Sequence, residues 1–296
     1  FKKLKEGNYS LKIDTHFKKG YSYIGEIFKK GKYRNEVFFS TYLCHPSMVN
    51  NELSGPVMSM AIHNWIVKNH PKTNFTYRFV IAPETIGPLM YLKKNLNNLK
   101  RNVKYAFNLT CQAGGKTFSY LPSKNGNTLT DEVSINLLKY HFKKYKIYNY
   151  LQRGSDERQY SSPGIDLPMV SIMKKKYHEY REYHTSLDNL NFVKKEQLEH
   201  TLSFYKKAIF LIENNYYCRA NIKGEPFLEK HFKVKKVGGK KIEGKLKIVL
   251  DILAYSDGKK TCVEIANLIK KSAIEILPII YELKNKRLIN LSLNVK

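Results

Sequence analysis

The stretch Ser40-Thr41-Tyr42-Leu43-Cys44-His45-Pro46-Ser47-Met48-Val49-Asn50-Asn51-Glu52-Leu53-Ser54-Gly55 decides how the chain reads. The apolar run from Val37 to Leu43 predicts a buried strand that delivers His45 at its C-terminal end. A polar turn follows, and Ser54-Gly55 opens a long apolar segment, Pro56 to Val67. Strand, turn and helix in that order put the turn where open α/β sheets bind ligands, beyond the carboxyl ends of their strands. A histidine with amide and carboxylate side chains a few residues on supplies half of a metal site. A strand-end histidine also serves as ordinary hydrogen-bonded structure, so the later segments have to decide.

Outward from this stretch, strands and helices alternate. Ser10–Ile13 and Tyr21–Phe28 suggest edge strands or a hairpin. The run 74–82 predicts a second strand ending at Pro83-Glu84-Thr85-Ile86-Gly87, with a short helix from Pro88 to Asn95 and a third strand from Tyr105 to Thr110. Residues 131–145 predict an amphipathic helix. The charged loop Arg153-Gly154-Ser155-Asp156-Glu157-Arg158-Gln159-Tyr160 precedes a buried strand, 169–173. Tyr183-His184-Thr185-Ser186-Leu187-Asp188-Asn189 then leads into a long helix, 196–214. This alternation predicts an α/β fold with a mostly parallel sheet covered on both faces.

Residues 219–245 are rich in Lys and Gly and read as a linker or surface crossing. Beyond them, three helices (245–255, 261–270, 273–285) and a strand (287–293) follow a winged-helix plan. A DNA-reading third helix presents polar side chains to bases. Here it carries Ile274, Ile276, Leu277, Ile279, Ile280 and Leu283, with Glu275 and Glu282 among its few polar members. Acids facing phosphates are repelled, so packing or partner contact is the expected role.

The 296 residues can bury a full core, as one large domain or two smaller ones. The chain opens Phe1-Lys2-Lys3 without Met and reads as a mature or truncated piece. No apolar run approaches the roughly 20 residues of a membrane helix. The net charge of +27 invites a nucleic-acid reading, but 44 of the 52 basic residues are Lys, spread along nearly the whole chain. Base-reading surfaces favour the Arg fork, so a solvated surface of biased composition is preferred over a nucleic-acid footprint. Cys44, Cys111, Cys218 and Cys262 lack paired spacing, sit in apolar contexts and fit buried free thiols of a reducing compartment.

Four turns thus offer polar groups: His45 with Asn51 and Glu52, then Glu84, then Asp156 with Glu157, then His184 with Asp188. Histidines and carboxylates are the ligand set zinc takes in hydrolases. In this order the motifs resemble zinc-dependent aminopeptidases with co-catalytic metals. More closely they resemble aminopeptidase-like proteins that carry a C-terminal winged helix and are often encoded near polysaccharide-biosynthesis genes. The resemblance covers most of the chain. It implies a three-layer α/β sandwich over residues 1–225, a linker at 226–244 and a winged helix at 245–296.

Carried over position by position, the resemblance implies His45 and Asp156 as ligands of one metal and His184 as ligand of the other. It puts Glu84 at the general base for metal-activated water, with Asp188 orienting His184. Two positions depart from the pattern. Asn51 stands where the relatives bridge two metals with an aspartate, and Thr85 where they have a second glutamate. One zinc ion, or another divalent metal, is therefore expected rather than two, held by His45, Asp156 and Asn51 with Glu52 beside them.

The expected activity is cytoplasmic hydrolysis of a peptide or an amide-bearing small substrate, with no membrane and a homo-oligomer left open. Two rivals are a peptidase-fold scaffold that binds a partner through the winged helix, and a nucleic-acid binder. Tyr120 and Lys124 are candidates for lining the substrate pocket. The other histidines sit in no matching turn and read as structural or surface.

Overall fold

The computed structural model describes residues 4–232 and 244–294. The quoted stretch organises it. Strand β2 (Glu36–Tyr42) is buried along its whole length, as a central strand covered on both faces must be. It pairs in parallel with β3 (Thr76–Ala82) on one side and β4 (Val103–Asn108) on the other. Beyond β3 lies β1 (Gly25–Lys29), an antiparallel edge strand. On the far side β4 pairs in parallel with β7 (Met169–Met173), which is antiparallel to β5 (Phe118–Leu121). β5 in turn pairs in parallel with β6 (Tyr145–Ile147) at the other edge. The seven-stranded order is β1-β3-β2-β4-β7-β5-β6.

Helices cover both faces. They are α1 (Ser54–Asn69), α2 (Ile86–Asn102), α3 (Leu129–His141), the single turn α4 (Glu157–Tyr160) and α5 (Lys195–Glu213). On the face under α1 and α5, Phe39 stacks on Phe79 at 4.9 Å and on Phe107 at 5.3 Å, with Tyr205 edge-on. A second cluster on the opposite face joins Phe38, Tyr91, Leu92 and Tyr160. The result is a three-layer sandwich.

Helix α1 sits unusually close to the sheet. A Cβ added to Gly55 would lie 2.1 Å from Thr41 Oγ1 and 2.4 Å from the Leu109 carbonyl oxygen. Only glycine allows that approach. The turn that carries Asn51 and Glu52 is thereby clamped against the strand ends.

The C-terminal unit comprises α7 (Gly244–Tyr255), β9 (Asp257–Thr261), α8 (Cys262–Leu268), α9 (Ala273–Asn285) and β10 (Ile289–Ser292). Its three-stranded antiparallel sheet takes its middle strand, β8 (Tyr217–Ala220), from before the expected linker, so the unit begins earlier than residue 226. Within the expected linker, Leu228–His231 forms the short helix α6. Residues 233–243 lie outside the described residues.

Thr261 caps α8, with a reciprocal capping box to Glu264. The apolar residues of α9, among them Ile276, Ile280 and Leu283, are buried in a core continuous with that of the sandwich. Buried amides sew the two units together. Asn215 Oδ1 accepts from Val263 N at 3.0 Å and its Nδ2 donates to Tyr105 OH at 3.0 Å. Asn136 Oδ1 accepts from Ala273 N at 2.8 Å, while its Nδ2 donates to Asn267 Oδ1 and the Lys271 carbonyl.

Several expected elements differ. Ser10–Ile13 is exposed and forms no strand. The helix expected at 88–95 runs the full Ile86–Asn102. The helix expected to reach Tyr145 stops at His141, and Tyr145 instead opens β6. Among the described residues no helix is long and apolar enough to cross a membrane.

Candidate active site

His45 follows β2 at the carboxyl end of the sheet, and Glu84 follows β3 on the neighbouring strand. Parallel pairing brings them together, with His45 Nε2 3.6 Å from Glu84 Oε2. The other ring nitrogen, Nδ1, lies 3.0 Å from Glu52 Oε2. Glu52 sits in a π-helical turn, Val49–Leu53, that lowers its carboxylate to the strand end. Its second oxygen accepts the Cys44 backbone N–H. With Nδ1–H donated to Glu52, the His45 lone pair resides on Nε2 and faces the crevice, the usual arrangement for a ligating imidazole.

The donor atoms of Cys44, His45 and Glu52 lie within 4.8 Å of one another, the one such three-residue cluster among the described residues. Its chemistry is that of support around His45 rather than of an ion-holding set. Both Glu52 oxygens already accept hydrogen bonds. Cys44 Sγ accepts from Glu84 N at 3.2 Å, and burial pushes its thiol up, away from the thiolate a metal would need.

The segment between β6 and α4 contributes Asp156, which is fully buried. Its Oδ1 accepts the Thr85 N–H at 2.8 Å, while Oδ2 has no hydrogen-bond partner. Burial, reinforced by the negative charges of Glu84 and Glu157, pushes its carboxyl up to about 8. A buried carboxylate oxygen with nothing to bond is costly unless a proton or a cation meets it. Glu84 is also raised, chiefly by burial and against the pull of His45.

Glu84 is held by a strained turn. Thr85 has φ 64° and ψ −61°, and Ile86 N donates back to the Glu84 carbonyl at 2.7 Å, which makes a γ-turn of the rare positive-φ kind. For a β-branched residue such a conformation costs on the order of 1–3 kcal/mol and persists only where the surroundings impose it. Here the Asp156 carboxylate takes the Thr85 N–H, and Arg158 Nη2 donates to Thr85 Oγ1 at 3.2 Å.

His184 reaches the same crevice, its ring centroid 5.4 Å from that of His45 and stacked on Tyr183 at 3.9 Å. Its backbone also has positive φ, 54°. Burial, with the nearby His45 and His178, lowers its pKa, which favours the neutral ring that can ligate a metal.

The structure therefore sets His45 beside Glu84 and His184, holds Asp156 against the turn that follows Glu84, and reassigns their neighbours. Asp188 does not bond the His184 ring. Its fully buried carboxylate accepts from Asn50 N at 2.6 Å and Asn51 N at 2.9 Å, satisfying the free N–H groups that open the π-helical turn. Asn51 Oδ1 already accepts from Tyr42 OH at 3.3 Å.

Glu157, read as part of a charged loop, is buried. It accepts from Gly154 N, Ser155 N, Tyr177 OH and Asn108 Nδ2 at 2.5–2.9 Å, which anchors the Asp156 segment. Tyr120 and Lys124 have structural partners. The Tyr120 hydroxyl donates to Asp131 Oδ1 at 2.6 Å, and Lys124 pairs with Asp166. Cys44 and Arg158, which sequence reasoning missed as site residues, flank the crevice. Their sequence adjacency to His45 and Asp156 was the available signal.

A family model described as a domain of unknown function (DUF4910) matches residues 8–215, and a winged helix-turn-helix model matches residues 216–291. A Clostridium acetobutylicum protein whose name couples polysaccharide biosynthesis with an aminopeptidase-like domain is 35% identical over 283 residues, 95% of this chain. The chain spans 64% of that relative's length. A solved Clostridium acetobutylicum structure, described as that of a candidate peptidase, superposes with a TM-score of 0.80 at 33% identity, over 90% of this chain and 60% of its own. The zinc aminopeptidase BSAP of Bacillus subtilis gives a TM-score of 0.51 at 15% identity, over 63% of this chain and 48% of its own, a likeness of fold alone. On the matched segments and the architecture together, the chain belongs to the DUF4910 family, with a zinc-aminopeptidase-like fold and a C-terminal winged helix.

Proposed function

We propose that the protein is a metal-dependent hydrolase of the aminopeptidase type, cleaving a peptide or other amide bond. The observation that carries this reading is the partnerless, fully buried Asp156 Oδ2 in a crevice that also holds His45, His184 and Glu84. The residue types, two imidazoles and a carboxylate, are those a single zinc ion takes. His45 Nε2, Asp156 Oδ2 and His184 are its proposed ligands, which must draw closer than the 4.8 Å spacing that only Cys44, His45 and Glu52 meet among the described residues. Asn51 supplies at most a neutral amide oxygen, and Thr85 supplies no acid. Without an anionic bridge, the repulsion between two adjacent dications is not offset, so the site is mononuclear. A bound ion would supply Lewis acidity, polarising the scissile carbonyl and making water acidic enough to attack near neutral pH.

The chain's own residues do the remainder. Glu84 accepts the proton of the attacking water and hands it to the departing amine. Its raised pKa brings it nearer the working pH, where such a base is most effective. The γ-turn at Thr85 fixes its direction, and Glu52 fixes the His45 ring. A reducing compartment such as the cytoplasm agrees with four free thiols, of which Cys218 and Cys262 share a hydrogen bond with sulfurs 3.5 Å apart.

The test is metal content. Protein purified without chelator should carry about one equivalent of zinc, manganese or cobalt per chain, and stripping it should abolish release of free amine from aminoacyl amides. Protein without stoichiometric metal, and unable to take it up, contradicts the reading.

A further inference from the structure

Arg158 is the cation of this crevice. It projects from α4, two residues after Asp156, and its side chain is exposed. Nε donates to the Ser155 carbonyl at 3.2 Å and Nη2 to Thr85 Oγ1 at 3.2 Å, which orients the guanidinium plane. Both acceptors are neutral, and among the described residues no carboxylate forms an ion pair with it. Its charge nevertheless reaches Glu84, Asp156 and Tyr183.

Two further facts bear on it. Its side-chain hydrogen-bond partner is the Thr85 hydroxyl, which carries no charge to neutralise the guanidinium. And the chain uses Lys for 44 of its 52 basic residues, so an Arg here is not the default cation. Arg differs from Lys in offering a planar fork that fits an oxyanion with two parallel hydrogen bonds. Beside Asp156, Glu84 and Glu52 its charge offsets part of the local negative field with or without an ion, and its fork gives an incoming oxyanion a directed donor.

We propose that Arg158 is a specificity-determining residue that anchors an oxyanion group, carboxylate or phosphoryl, borne by the substrate beside the scissile amide. This deepens the hydrolase reading and rests on it for the word substrate. The anion subsite itself does not require the ion, so the two can fail separately.

The experiment is calorimetric titration of the metal-free full chain at low ionic strength with succinate and with inorganic phosphate. The wild type should bind one of them with a dissociation constant in the millimolar range, and the preferred probe says which oxyanion the substrate bears. Arg158→Gln should weaken that binding about tenfold or more, and Arg158→Lys should recover only part, because an ammonium lacks the fork. Arg101→Ala, at the opposite end of the sheet, should change nothing. Equal binding by wild type and Arg158→Gln overturns the proposal, as does an equal loss in Arg101→Ala, which would mean unspecific attraction to a +27 surface. Zinc content of the same preparation reads the hydrolase assignment independently: anion binding that depends on Arg158 in a protein unable to take up metal keeps the subsite and overturns the hydrolase.

Discussion

Glu84→Gln should leave the fold and the zinc content unchanged and lower kcat for amide hydrolysis by about 10²–10⁴, the usual contribution of a positioned general base. The substitution is nearly isosteric. It preserves the backbone N–H that donates to Cys44 Sγ and the γ-turn that follows. Only the ability to take a proton is lost. Because Glu84 is assigned no ligand role, zinc should bind as before, and KM should move little. Activity within about threefold of wild type would remove Glu84 from the base role. Loss of zinc with loss of activity would make it a ligand instead.

Asp156 carries the second large effect. In the metal-free fold its carboxyl is pushed up to about 8, whereas in the unfolded chain it titrates near the ordinary value of about 3.9. Between these values the folded state binds the proton and the unfolded state does not. Asp156's contribution to the stability of the metal-free protein is therefore fully present below about pH 4 and is lost as pH rises toward 8, by on the order of a few kcal/mol. Zinc takes the deprotonated form, so adding it should restore the melting temperature most strongly at the alkaline end.

Asp156→Asn keeps an acceptor for the Thr85 N–H but has nothing to ionise. It should flatten the pH dependence and weaken zinc binding beyond the roughly 10–100-fold typical of losing a group that only supports a ligand. Thermal melts of metal-free wild type and variant from pH 5 to 8 check this. A wild-type melting temperature that does not fall over that range would contradict the assignment.

The sandwich and the four turns were legible because burial writes itself into strands such as 36–42 and 76–82, and because a polar turn at each strand end is hard to mistake. The short edge pieces were not. Phe118–Leu121 and Tyr145–Ile147 are four and three residues long, too short for a period to show, and Tyr145 continues the apolar spacing of the helix before it. Tyr217–Ala220 escaped for the same reason, and with it the start of the winged-helix sheet.

At the site, residue types pointed to the crevice but not to hydrogen-bond partners. Asp188 reads as a partner for His184 by proximity in sequence, yet the unpaired N–H groups of Asn50 and Asn51, about 140 residues away along the chain, claim it. Whether an acid supports a ring or a turn depends on a π-helical turn that no local pattern announces. The same holds for Arg158, whose meaning comes from Thr85, 73 residues distant.

The central claim is the position of one cation. Crystals of the zinc-loaded protein, with diffraction measured on both sides of the zinc absorption edge, test it most directly. The account predicts a single anomalous peak per chain, bonded to His45 Nε2, Asp156 Oδ2 and His184, with Glu84 beside it and Glu52 still on His45 Nδ1. A peak between Cys44 and Glu52 on the Nδ1 side, two peaks of full occupancy, or none would contradict it.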